Sequence, residues 1–97
     1  MLTNKQIKHL RALAHPLHFV IQTGDKGLTE AVQNEIAVAL KAHELIKVKL
    51  NAEREERDAM ITAIEDKQQC QVVQYIGKTV VLFKRNSNNI KITLPKH

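Results

Sequence analysis

Gly24 and Gly27 stand three residues apart around Asp25-Lys26, between the β-forming run Phe19–Gln22 and a helix start at Thr29-Glu30. A glycine has no Cβ, so its backbone can lie close to a bound group, and the free N–H groups of a helix start point partial positive charge outward. That pairing suits a phosphate; Lys26 can add a full charge, whereas Asp25 weakens the pull. Two glycines at this spacing equally describe a tight turn. The loop lacks the Gly-Lys-Ser/Thr ending of a P-loop and the third glycine of the dinucleotide fingerprint. A second set of candidates is a one-signed stripe, in which Lys5, Lys8, His9, Arg11 and His15 occur with no acid among them. Such a stripe fits a polyanion, bound less tightly as salt rises because counterions are released; its bland reading is solubility. Lys47 and Lys49 alternate along an apolar run, Lys78 follows Gly77, and Lys84-Arg85 close the last apolar run. Their plainer readings are a solvated strand face, a turn residue and an edge guarded against aggregation.

Other constellations fail. His15 and His18 are separated by Pro16, which breaks any helical register, and no carboxylate lies close in sequence, so a metal site is not expected. The single cysteine, Cys70, excludes an internal disulfide and a thiolate-rich zinc site, and reads as a small core thiol. His43 falls on the apolar face of a predicted helix and is expected to be buried. No paired carboxylates, metal set or cofactor loop point to catalysis. The aromatic residues are Phe19, Tyr75 and Phe83, all inside predicted strands. With Phe19 and Phe83 assigned to the core, stacking on bases is not expected, and contact falls to backbone and shape recognition.

These residues must be positioned by one small domain, since the chain has 97 residues, 43% hydrophobic and 26% charged, as ordinary globular proteins do. No apolar run approaches the roughly 20 residues of a membrane span, and Met1–Lys5 does not open a signal peptide, so an intracellular, cytoplasmic protein is expected. The net charge of +5 is unevenly spread. Residues 1–28, 45–51 and 78–97 are basic, while the acidic surplus is confined to two helical segments, 29–44 and 52–77. The densest run there, Glu53–Asp58, reads as a solvated helix face of mixed sign.

Hydrophobic periodicity predicts a first helix over about Asn4–Ala14, with Ile7, Leu10, Leu13, Ala14 and Leu17 on one half of the wheel and the basic stripe on the other; Pro16 ends it. A strand at Phe19–Gln22 follows. Thr29 is a plausible N-cap for a helix reaching His43, whose buried stripe is Leu28, Val32, Ile36, Ala39 and Leu40. Period-two alternation over Leu45–Leu50 predicts a strand with Ile46, Val48 and Leu50 on one side and Lys47 and Lys49 on the other. A third helix over Glu53–Gln69 turns Met60, Ile61 and Ile64 inward. Strands at Gln71–Ile76 and Thr79–Arg85 flank Gly77-Lys78, the glycine-first pair of a type II′ hairpin. The α-β-α-β-α-β-β order implies parallel strand–helix–strand units plus an antiparallel hairpin, hence an α/β (α+β two-layer) fold with a four-stranded mixed sheet. The second and third helices share one face, and the first is the element left to cover the other. Residues 1–85 form the domain and 86–97 a basic, loose tail.

Four segments carry a family resemblance: Leu13–Leu17, Gly24–Thr29, Glu44–Lys49 and Ile76–Phe83, in order and at matching spacing. Together they closely resemble the CRM domain, named for chloroplast RNA splicing and ribosome maturation, in its free-standing bacterial form, the YhbY family. The resemblance implies a fold similar to the C-terminal domain of translation initiation factor three. It also implies a non-catalytic RNA-binding protein that associates with large ribosomal subunit precursors and assists their assembly. Carried over, Gly24 and Gly27 match the loop glycines around Asp25 and Lys26, and Lys47 and Lys49 match the basic strand segment; with the cations Lys5, Lys8, Arg11, Lys78, Lys84 and Arg85 read from charge alone, these are the expected contacts to structured RNA. A monomer is expected, with no cofactor, small-molecule substrate or membrane contact. Asp25 departs from the basic loop of many plant members, and Phe83-Lys84-Arg85 stands where many members read Tyr-Arg. The competing classes are a protein-binding adaptor using the acidic helices, a nucleic-acid binder unrelated to ribosomes, and an RNA-cleaving or modifying enzyme.

Overall fold

The computed structural model describes residues 2–96. Helix α1 (Asn4–Ala14) starts at Thr3, where the Gln6 N–H donates to Thr3 Oγ1 at 3.1 Å and the Thr3 N–H donates to Gln6 Oε1 at 3.0 Å. This reciprocal cap satisfies donors that a helix start otherwise leaves open. A two-residue strand β1 (Ile21–Gln22) leads into α2 (Glu30–His43), whose Thr29 Oγ1 accepts from the Val32 N–H at 3.2 Å. Then come β2 (Leu45–Lys49), α3 (Arg54–Gln68), β3 (Gln71–Ile76) and β4 (Thr79–Phe83). Gly77 holds φ +57° at the β3–β4 turn, the positive φ that a glycine-first hairpin requires.

The sheet is four-stranded and mixed, in the order β1-β2-β4-β3. β1 runs parallel to β2, and β4 is antiparallel to both β2 and β3. The parallel pairing expected of each strand–helix–strand unit therefore holds for β1 and β2 but not for β2 and β3, which are separated by β4. Burial explains the insertion. Val80 and Leu82 pack on one face while Val81 and Phe83 pack on the other, so β4 needs cover on both sides and takes a central place. β3 carries Gln71 and Gln74 and takes the edge, with a bulge at Val73 that turns this side chain onto the α1 face. The Val73 carbonyl accepts from Arg11 Nε at 2.9 Å, which ties α1 to the bulge. β1 is shorter than the Phe19–Gln22 strand expected, and β4 ends at Phe83 rather than Arg85.

Two layers of core result. Ile36 and Leu40 of α2 and Ile61 and Ile64 of α3 pack against Ile21, Ile46, Val48, Leu50, Val80 and Leu82. On the opposite face Leu10 and Ala14 of α1 cover Leu45, Val73, Val81 and Phe83, so α1 takes the covering position the pattern left for it. Between α2 and α3, the buried Gln68 Nε2 donates to the Gln33 carbonyl at 2.9 Å and to Gln33 Oε1 at 2.7 Å. The segment after Asn86, expected to be loose, lies against α1: Ile92 and Leu94 join the second core, Gln6 Nε2 donates to the Pro95 carbonyl at 2.9 Å, and His9 Nε2 lies 3.0 Å from the Thr93 carbonyl. His43 is exposed in the last turn of α2, not buried, because the chain turns away at Glu44 with φ +64°.

Candidate nucleic-acid interface

The C-terminal ends of β1 and β2 and the β3–β4 turn lie at one edge of the sheet, and the glycine loop grows from that edge. Its stem is fixed by buried Thr23, whose N–H donates to the Lys49 carbonyl at 3.0 Å and whose Oγ1 accepts from the Asn51 N–H at 2.8 Å. Asn51 Nδ2 donates to the Thr23 carbonyl at 2.9 Å and to Gln22 Oε1 at 3.2 Å, so β2 and the loop are clamped together. The loop closes as a tight turn, with the Gly27 N–H on the Gly24 carbonyl at 3.0 Å. The two glycines differ in what the fold asks of them. Gly27 sits at φ +71°, and a Cβ there would come within 3.3 Å of Met60 Cε. Gly24 lies outside the positive-φ region and faces open space. Residues 22–27 with Asn51, Glu56 and Met60 line an open cleft of about 740 Å³.

This cleft is not itself basic, since Asp25 and Glu56 outnumber Lys26 in its lining. The positive charge lies beside it, on the α1 side of the sheet. Ile46, Val48 and Leu50 turn toward α2 and α3, so Lys47 and Lys49 face the other way, as the alternation predicts. Lys47 Nζ donates to the Leu17 carbonyl at 2.9 Å, just beyond the end of α1. Lys78 follows Gly77 in the turn, and its carbonyl accepts from the Leu50 N–H at 2.7 Å, which brings it next to the loop stem. Lys5, Lys8 and Arg11 are exposed on α1. The α1 cations thus share a side of the sheet with Lys47 and Lys49, Lys78 stands in the turn at the loop end, and the acid-rich helices α2 and α3 occupy the opposite layer.

Lys84 and Arg85 lie apart from Lys47, Lys49 and Lys78, beside Leu2 and Gln6 at the start of α1. The β2–β4 register pairs Lys49 with Thr79 but Leu45 with Phe83, so Lys84 and Arg85 follow β4 at the far end of the sheet, roughly 17–20 Å away at ~3.3 Å per residue. Arg85 Nη1 is also engaged internally, 3.1 Å from Glu44 Oε1 and 2.9 Å from the Ile92 carbonyl. Glu44 opens one of the four resemblance segments but was assigned no role, and it is fully buried. Burial pushes its carboxyl pKa up, but the backbone N–H groups of Asn86, Ile92 and Lys91, with the Arg85 guanidinium, outweigh that and hold it below the usual carboxylate value.

The aromatic residues also divide. Phe83 is buried as expected. Tyr75 is tied to the α3 side, its Oη donating to Asp58 Oδ1 at 3.0 Å and accepting from Arg57 Nε at 3.2 Å. Phe19, expected in the core, is 42% exposed. Because α1 ends at Ala14 and β1 begins only at Ile21, Phe19 sits in an uncovered connection, and Lys49 Nζ lies 5.5 Å from its ring centroid. Thr23, Asn51 and Glu44 are the positioning residues that sequence reasoning missed; for the first two the available signal was a polar residue at each strand end beside the loop. Burial, with Glu65 nearby, pushes the Cys70 thiol up to about 11, which keeps it protonated and unreactive near neutral pH. Among the described residues no three His, Cys, Asp or Glu side chains converge as metal ligands, and no helix is long and apolar enough to cross a membrane.

Fold and site together define a small α+β protein with a glycine loop at one sheet edge and a basic layer beside it. The family model of the CRS1/YhbY (CRM) domain matches residues 2–84, and the chain belongs to that family. A Haemophilus influenzae protein named an RNA-binding protein is 46% identical over 96 residues, spanning 98% of this chain and 96% of the relative. Bacillus subtilis YqeI, named a probable RNA-binding protein, is 41% identical over 97 residues, spanning 98% of this chain and all (100%) of the relative. The solution structure of a hypothetical Staphylococcus aureus protein, described as a candidate RNA binder, superposes with a TM-score of 0.81 at 32% identity, covering 98% of this chain and 100% of that one.

Proposed function

We propose that this protein is a non-catalytic RNA-binding factor that associates with large ribosomal subunit precursors in the cytoplasm and assists their assembly as a monomer. The observation that carries the reading is the sidedness of charge: Lys5, Lys8, Arg11, Lys47 and Lys49 belong to the α1 layer, Lys78 stands in the turn beside the loop stem, and the acids of α2 and α3 belong to the other layer. A polyanion approaching the α1 layer meets cations first, and its phosphates meet the open backbone of Gly24 at the loop end. Gly24 supports the loop's part in this, because nothing in the fold requires a glycine there. Asp25 and Glu56 limit the loop to a few phosphates aligned on its N–H groups, so the lysines and Arg11 supply most of the attraction. Lys84 and Arg85 fall outside the proposed surface. The family membership and the names of the Haemophilus and Bacillus relatives support RNA as the polyanion. The test is sedimentation of tagged protein from a cell lysate through a sucrose gradient, with and without ribonuclease. Co-migration with large-subunit precursors, lost on ribonuclease treatment, is the expected result. Protein that stays at the top of the gradient, at low salt as well, overturns the ribosomal assignment.

A further inference from the structure

We infer that Phe19 is a stacking platform for one unpaired base of the bound RNA, with Lys47 and Lys49 placed for the flanking phosphates; the inference rests on the RNA-binding reading above. Phe19 is 42% exposed in the connection between α1 and β1 and belongs to neither layer of the core. Its chain neighbours Leu17 and Val20 are exposed and apolar, and cations stand close by: Lys49 Nζ lies over the ring, 5.5 Å from its centroid, Lys47 is held against the Leu17 carbonyl at 2.9 Å, and Gln22 is the Cα partner of Lys49. Gln22 also lines the glycine-loop cleft, so ring, lysines and loop form one continuous path at this edge of the sheet. An aromatic face accepts the flat face of any base, and a lysine beside it meets the phosphate to which that base is attached. A protein relying on phosphate contacts alone would bind paired RNA as well as looped RNA. With Phe19 stacking, the site favours RNA in which a base is already free of its helix, because a paired base must first be unstacked.

The test compares two RNA probes of equal length at fixed salt, a hairpin with an unpaired loop and a fully paired duplex, against wild type, Phe19→Leu and Phe19→Trp. The chain contains no tryptophan, so Phe19→Trp gives a single reporter at the proposed contact. We expect Phe19→Leu to bind the hairpin about ten-fold more weakly and the duplex unchanged. Phe19→Trp should keep the wild-type preference and lose fluorescence as the hairpin saturates it. Equal hairpin affinity for Phe19→Leu and wild type, equal weakening on both probes, or tryptophan emission that does not change at saturation each overturns the stacking role while leaving RNA binding intact. Wild type that binds neither probe overturns the RNA-binding reading itself, and this inference with it.

Discussion

Glu44 is a charged residue at a helix end where glycine is the ordinary choice, since a φ of +64° is costly for a side chain with a Cβ. Its carboxylate accounts for the exception. Oε1 accepts from the Lys91 N–H at 2.7 Å and the Ile92 N–H at 2.9 Å, Oε2 accepts from the Asn86 N–H at 2.6 Å, and Arg85 Nη1 reaches both oxygens. One buried anion therefore fixes the start of β2, the end of β4 and the returning tail. Replacing it by Glu44→Gln leaves Arg85 and the N–H groups poorly satisfied and should cost about 3 kcal/mol at neutral pH, in the range for breaking a buried pair. The pH dependence follows from the lowered folded pKa: the stabilisation is complete above the unfolded value of 4.5 and is lost as pH falls through the folded one. Urea unfolding of wild type and Glu44→Gln should accordingly show a wide gap at pH 7 that narrows below pH 4.5. A gap that stays constant into acid would show that ionisation of Glu44 is not the source.

At the scale of elements, the glycine loop separates a structural demand from a functional one. Gly27 combines a φ of +71° with a Cβ contact of 3.3 Å to Met60, so Gly27→Ala should destabilise the fold by about 1–2 kcal/mol. Gly24→Ala meets neither obstacle and should unfold like wild type, yet bind RNA more weakly because a methyl group now stands where a phosphate approaches. Paired denaturation and binding curves check both; undiminished RNA affinity in Gly24→Ala would remove the loop from the interface. The hairpin is the other instructive element. Its turn was legible from Gly77-Lys78, as was β3 to the residue, Gln71–Ile76. The insertion of β4 between β2 and β3 was not, because local pattern records that β4 is apolar on both sides without recording which strands flank it.

Over the whole molecule, the segregation of charge between layers predicts how binding responds to salt. Each phosphate released from a lysine should reduce the slope of log affinity against log salt by about one unit. Lys47→Ala, Lys49→Ala and Lys78→Ala combined should weaken RNA binding and flatten that slope, and Lys5→Ala with Lys8→Ala should do so to a smaller degree. Lys84→Ala, at the opposite end of the sheet, should leave the slope unchanged. A Lys84→Ala effect as large as that of the sheet lysines would place RNA elsewhere on the surface.

Periodicity and punctuation, which act over a few residues, determined the three helices, the hairpin, the side of β2 that carries Lys47 and Lys49, and the glycine loop. The α1 layer was reached by elimination, since two apolar-faced strands needed a second cover. Partnerships between residues distant in the chain were decided only by tertiary structure. Arg85 and Lys84 read as cations adjacent to a strand, but the register sends them to the end of the sheet away from the loop, and a glutamate 41 positions earlier takes up the Arg85 guanidinium. Phe19 reads as a strand residue, but β1 has a partner on one side only and starts two residues later, so no helix covers its ring. Local pattern fixes which side of its own element a side chain occupies. Whether another element lies over that side depends on strand order and on where each helix stops, and both are set by burial summed over the whole chain.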